Sequence, residues 1–69
     1  MNKYIAIVES FLADNDAYTE SELSSIIGDF MNEYSRPTGK VINLLVALNS
    51  AKNKDPETVQ LYLKKYNSE

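Results

Sequence analysis

The chain has 69 residues, 43% of them apolar and 25% charged, with a formal net charge of −3. It contains no histidine, no cysteine and no tryptophan, so it lacks both the side chain that titrates near neutral pH and the strongest ordinary nucleophile. That excludes disulfide stapling, thiol catalysis and His/Cys zinc sites, and it directs the reading toward binding rather than an enzyme, with no cofactor and no metal.

The length fits one domain, 1–69, and a chain this short buries only about 60% of its unfolded surface. Its core must therefore come from well-patterned helices. The apolar run Tyr4–Val8 stops at Glu9, and Val41–Leu48 is broken by Asn43. A spanning helix needs about 20 apolar residues, so no membrane association is expected. Absence of cysteine suits the cytoplasm. Six lysines against one arginine, with many Asn, Ile and Tyr, point to an AT-rich genome such as that of a low-GC bacterium, its phages or its plasmids.

Four helices can be read in chain order. The first spans about 2–13, with Tyr4, Ile7, Val8, Phe11 and Leu12 on one stripe and Lys3, Ala6, Glu9 and Ser10 opposite. The cluster Asp14-Asn15-Asp16 ends it as a turn. The second, about 19–34, opens on Thr19-Glu20-Ser21-Glu22, a capping box. Leu23, Ile26, Ile27, Phe30, Met31 and Tyr34 then repeat at helical spacing. Gly28 falls on the other face, where a close approach by a neighbouring helix would explain it.

Ser35-Arg36-Pro37-Thr38-Gly39 breaks the chain before a third helix at about 39–52. Val41, Leu44, Leu45 and Leu48 form its main stripe, while Ile42 and Val46 point to a second side, the mark of a central helix. Asp55-Pro56-Glu57 starts the fourth helix, about 55–66, with aspartate at the N-cap and proline at the first helical position. Val59, Tyr62, Leu63 and Tyr66 should face inward, and Leu61 lies off that face. No strand is predicted; the fold class is a small all-α bundle.

Several short patterns resemble sites and fail on chemistry. Asp14-Asn15-Asp16 opens like a calcium loop, but Thr19 stands where glycine is needed and Ser25 where a bidentate glutamate is needed. Thr38-Gly39-Lys40 ends like a phosphate-binding loop, yet Tyr34 replaces the first glycine and Val41 the magnesium-binding hydroxyl. What survives is a helix N-terminus whose free amides favour an anion. Glu20 and Glu22 complement the dipole of the second helix. A helix-turn-helix reading places Leu44-Leu45-Val46-Ala47-Leu48 in the recognition helix, leaving no face to read bases.

Charge is unevenly spread. Residues 1–35 carry Lys3 against seven carboxylates, a net of −6, whereas residues 36–69 carry six cations against three carboxylates, a net of +3. The six cations are Arg36, Lys40, Lys52, Lys54, Lys64 and Lys65. They serve either as helix C-terminal charges or as one phosphate-binding face. Ile42, Val46 and Leu61 are surplus to the predicted core, and exposed they would form a protein-binding patch.

From Thr19 onward the chain resembles the C-terminal helical tail domain shared by the B subunit of glutamyl-tRNA(Gln) amidotransferase and the YqeY-type proteins. The likeness lies in Thr19-Glu20-Ser21-Glu22-Leu23-Ser24-Ser25-Ile26-Ile27, in Gly39-Lys40-Val41-Ile42, and in Lys54-Asp55-Pro56 with Val59 and Leu63. It implies a tRNA-contacting appendage without catalytic residues, in which Lys40, Lys52 and Lys54 touch phosphate. The residues themselves favour a cytoplasmic, non-catalytic module that binds a protein partner or itself through Ile42, Val46 and Leu61. A small phage- or plasmid-encoded regulator of a host protein fits that description. An RNA-contacting accessory domain using the basic half is the alternative.

Overall fold

Local signals at the helix starts are realised in a computed structural model that describes residues 2–68. Helix α1 (Lys3–Ala13) is capped by Asn2, whose side chain accepts from the Tyr4 amide at 2.8 Å. Helix α2 (Glu20–Glu33) begins with the full capping box: the Glu22 amide donates to Thr19 Oγ1 at 3.0 Å, and the Thr19 amide donates to Glu22 Oε1 at 2.9 Å. Helix α4 (Pro56–Ser68) follows Asp55, which accepts from both the amide and the hydroxyl of Thr58. These bonds hold the Asp55 carboxyl below the usual carboxylate range. The α4 helix runs two residues past the predicted end, and the Ser68 hydroxyl donates to the Lys64 carbonyl at 2.8 Å.

Helix α3 (Lys40–Lys52) differs, because its N-cap Gly39 offers no side chain. Gly39 sits at φ 56, ψ −135, a backbone region that essentially only glycine enters. The far end of α3 closes as a Schellman motif. The Asp55 amide donates to the Ser50 carbonyl at 2.9 Å, and the Lys54 amide donates to the Ala51 carbonyl at 3.0 Å. Lys54 occupies the left-handed position of that motif at φ 57, where glycine is usual.

The Asp14–Asp16 cluster is a helix stop, as its residues led one to expect. The Asp14 amide returns to the Ser10 carbonyl, Asn15 Nδ2 donates to the Phe11 carbonyl, and the Asp16 amide donates to Asp14 Oδ1. Lys54 then ties this loop to the α3–α4 turn. Its ammonium donates to Asp16 Oδ1 at 2.8 Å and to the Asn15 carbonyl at 3.3 Å. The pair lowers the Asp16 carboxyl from its ordinary range.

Helix α3 is central and packs against the three others, most extensively against α4. Among the described residues no strand is present, and the Cα radius of gyration is 10.8 Å, close to the ~11 Å expected for a packed domain of this length. The core takes Tyr4, Val8 and Phe11 from α1, Leu23 and Phe30 from α2, and Val59 from α4. From α3 come Leu44, Ala47, Leu48 and Ala51. Small residues at 47, 50 and 51 permit close approach of the neighbouring helices, while Val41 and Leu45 of the expected stripe are only half-buried.

Helices α1 and α2 meet mainly through aromatic rings. Tyr4 stands edge-on to Phe30, with centroids 5.1 Å apart and planes at 82°, and Phe30 lies 5.0 Å from Tyr34. The Tyr4 hydroxyl donates to Glu33 Oε2 at 2.9 Å. Burial, that hydrogen bond and the nearby charges of Glu33 and Asp29 push its pKa up to about 12.

Two expectations for α2 are corrected. Met31, placed on the apolar stripe, is 39% exposed: the helix buries fully only Leu23 and Phe30, so its inward arc is too narrow to reach residue 31. Gly28 is not at a helix–helix contact. A Cβ built there meets nothing within 4 Å.

Candidate protein-binding groove

Because a short turn joins α3 to α4, the two helices run antiparallel, and the start of α3 lies beside the end of α4. Asn43 of α3 and Leu61, Lys64, Lys65 and Ser68 of α4 line an open groove of about 600 Å³ there. Leu61 is 50% exposed in its wall. Ile42, the neighbour of Asn43, is 47% exposed, and Val46 lies one turn further on and half-buried. The three surplus aliphatic residues therefore sit on the two helices that form the groove.

The six cations divide into two groups. Lys64 and Lys65 line the groove, and Lys40 belongs to the same end, its ammonium 4.8 Å from the centroid of the Tyr66 ring. Lys65 lies 4.6 Å over the Tyr62 ring. Lys52 and Lys54 are at the turn end of the hairpin, with Lys52 half-buried and Lys54 engaged by Asp16. Twelve residues of helix separate Lys40 from Lys52, about 18 Å along the axis. Arg36 is exposed in the loop leading into α3.

The helix start at Thr38-Gly39-Lys40 offers an anion little. The Val41 and Ile42 amides bond to the Thr38 and Gly39 carbonyls at 3.2 and 3.3 Å, and the Lys40 ammonium lies over a ring. At the centre of α3, Leu44, Ala47 and Leu48 are buried and Leu45 and Val46 half-buried, so the stretch a recognition helix would use to read bases is apolar and largely covered. Among the described residues no group of three or more acidic side chains is gathered closely enough to hold a metal ion, and no helix is long and apolar enough to cross a membrane.

Sequence reasoning passed over Asn43 and Ser68 as groove residues. Asn43 carried the better signal, since it is the polar residue that interrupts the apolar run of α3. A second concavity of about 400 Å³, lined by Asn2, Lys3, Tyr4, Glu33 and Tyr34, lies where α1 begins and α2 ends. Its acid, Glu33, already accepts from the Tyr4 hydroxyl. Comparison with family models, with curated proteins and with solved structures finds no match to this chain.

Proposed function

We propose that the chain is a non-catalytic protein-binding module whose contact surface is the α3–α4 groove with Ile42, Val46 and Leu61 beside it. The observation that supports this most is the exposure of Ile42 and Leu61 on two helices packed against each other. Met31 is the one other exposed large apolar side chain among the described residues, and it is less exposed than either. Exposed aliphatic chains concentrated on one hairpin mark a contact surface more than scattered ones do. Lack of histidine and cysteine favours binding over chemistry. A cytoplasmic regulator of a host protein, carried by a phage or plasmid, suits the small size and the lysine-rich, arginine-poor composition.

The second reading is an RNA-contacting accessory domain of the amidotransferase-tail type, and Lys64 and Lys65 in the same groove favour it. Tyr62 and Tyr66 weaken it, because each already has a lysine over its ring and is half-buried. Affinity capture from native cytoplasm, with and without ribonuclease, separates the two when run beside a Leu61→Asp bait. Protein binding predicts a partner that survives nuclease and is lost with Leu61→Asp, while circular dichroism of that variant stays helical. A complex that nuclease dissolves replaces the proposal with the RNA reading. A partner indifferent to Leu61→Asp removes the groove from it.

A further inference from the structure

We infer that the groove takes an acidic amphipathic segment of a different protein, seating an aliphatic side chain on Leu61 and its carboxylates on Lys64 and Lys65. The inference rests on the protein-binding reading and adds the chemistry of the partner. The wall is apolar at Leu61, polar at Asn43 and Ser68, and cationic at Lys64 and Lys65. Leu61 to Ser68 covers about 10 Å of helix, two turns, so the matching feature is one or two aliphatic residues flanked by acids.

Charge complementarity points the same way. Lys64 and Lys65 are exposed, and Lys40 adds a third positive charge at this end of the hairpin. Among the described residues no carboxylate lines the groove. The remainder of the surface is dominated by the seven carboxylates of residues 1–35. An acidic segment is therefore repelled from the front of the molecule and accepted at the groove, which fixes where and how it docks.

A second copy of the chain is the weaker occupant. A two-fold dimer formed through the groove would set Lys64 and Lys65 against their own counterparts. Docking the groove on the acidic front of another copy is a head-to-tail contact, which leaves an unfilled groove at the end of every open chain. Nucleic acid would use the lysines but would leave Leu61 and Ile42 against a hydrophilic backbone.

The test is a titration of the isotope-labelled full chain, followed by amide NMR. The probe is a synthetic amphipathic peptide with leucines on one face and glutamates beside them. Controls replace the glutamates by lysine, or the leucines by alanine. Shifts should centre on residues 42–46 and 61–68, saturate only with the leucine–glutamate peptide, and weaken with salt. Lys64→Glu with Lys65→Glu should lower the affinity at least about tenfold and transfer preference to the lysine peptide. Should those carboxylates disturb the end of α4, Lys64→Gln with Lys65→Gln provides the neutral version with a smaller loss.

Equal binding of the acidic and basic peptides, or groove amides that stay unmoved, overturns the acidic-partner inference. If a captured partner needs Leu61 but ignores the lysine substitutions, protein binding stands and only its acidic chemistry falls. If a single-stranded RNA probe shifts the groove amides at concentrations where the peptide does not, both fall together. Concentration-dependent sedimentation of the chain alone, abolished by Lys64→Glu, would identify the occupant as a second copy and overturn the inference as stated.

Discussion

Gly28 and Gly39 give a controlled experiment on what a methyl group does in this fold. Both have open space where a Cβ would go, with nothing within 4 Å. Gly28 lies in the interior of α2 with ordinary helical backbone, so Gly28→Ala removes a propensity penalty of about 1 kcal/mol and creates no clash. Taking about 2.1 cal/mol/K of unfolding entropy per residue, that gain raises the melting temperature by about 7 °C. Gly39→Ala has the same space but must hold an L-residue at φ 56, ψ −135, which costs about 1–3 kcal/mol and lowers the melting temperature instead. Thermal and urea unfolding followed by helical circular dichroism measures both, and an unchanged urea m-value confirms that stability rather than the compactness of either state has moved. A Gly28→Ala variant that melts at or below the parent temperature would refute the reasoning, because it would mean that something packs on that face of α2.

Three further outcomes follow from the core and its titrating groups. Phe30→Ala should cost about 3–5 kcal/mol, since the ring is fully buried between Tyr4 and Tyr34. A domain this size holds only about 3–10 kcal/mol in all, so the variant should be largely unfolded by circular dichroism, and a cooperative melt near the parent temperature would contradict the packing. Tyr4 ionises with a folded pKa of about 12 against an ordinary 10.0, so its contribution is complete below pH 10 and is lost as pH rises toward 12. Tyr4→Phe should remove this part of the alkaline loss of stability, at the expense of the hydrogen bond to Glu33, about 1 kcal/mol at neutral pH. At the acid end, the lowered pKa values of Asp16 and Asp55 reverse the sign: their contributions hold above the ordinary 3.8 and disappear as pH falls below it. Urea midpoints across pH should therefore decline at both extremes, and a midpoint that rises on acidification would contradict both assignments.

The helices were legible because their boundaries are written within a few residues of each other. Thr19 with Glu22, and Asp55 with Pro56, act over one helical turn, and the structure places α2 and α4 where those residues put their starts. The inward stripes of α1 and α4 were legible for the same reason, since periodicity is a local property. What the sequence concealed depends on distant neighbours. Tyr4 and Glu33 are 29 positions apart, and Lys54 and Asp16 are 38 apart. No periodicity reveals which face of α2 stays uncovered, so Gly28 was assigned a neighbour it does not have and Met31 a burial it does not reach. The exposed positions of Ile42 and Leu61 were visible as residues off the main stripes, whereas Asn43 and Ser68 joined them only once α3 and α4 lay side by side.

Lys54 shows why counting charges along a chain misjudges a surface. It stands at the one non-glycine position of positive φ among the described residues, where the Schellman motif would accept glycine without strain. A glycine there would relax the backbone and lose the tie from the α3–α4 turn to Asp16 and to the Asn15 carbonyl. The lysine stands against its own backbone preference, and its charge is directed at the α1–α2 loop. Lys40 and Lys65 lie over tyrosine rings, which leaves their ammonium groups open to a partner on the side away from the ring. The basic half of the chain is therefore two surfaces. At the turn, Lys54 ties the α3–α4 connection to the α1–α2 loop through an exposed ion pair; at the other end of the hairpin, Lys64 and Lys65 line the groove with the exposed Leu61, so a partner of the proposed kind would meet positive charge and an apolar side chain together.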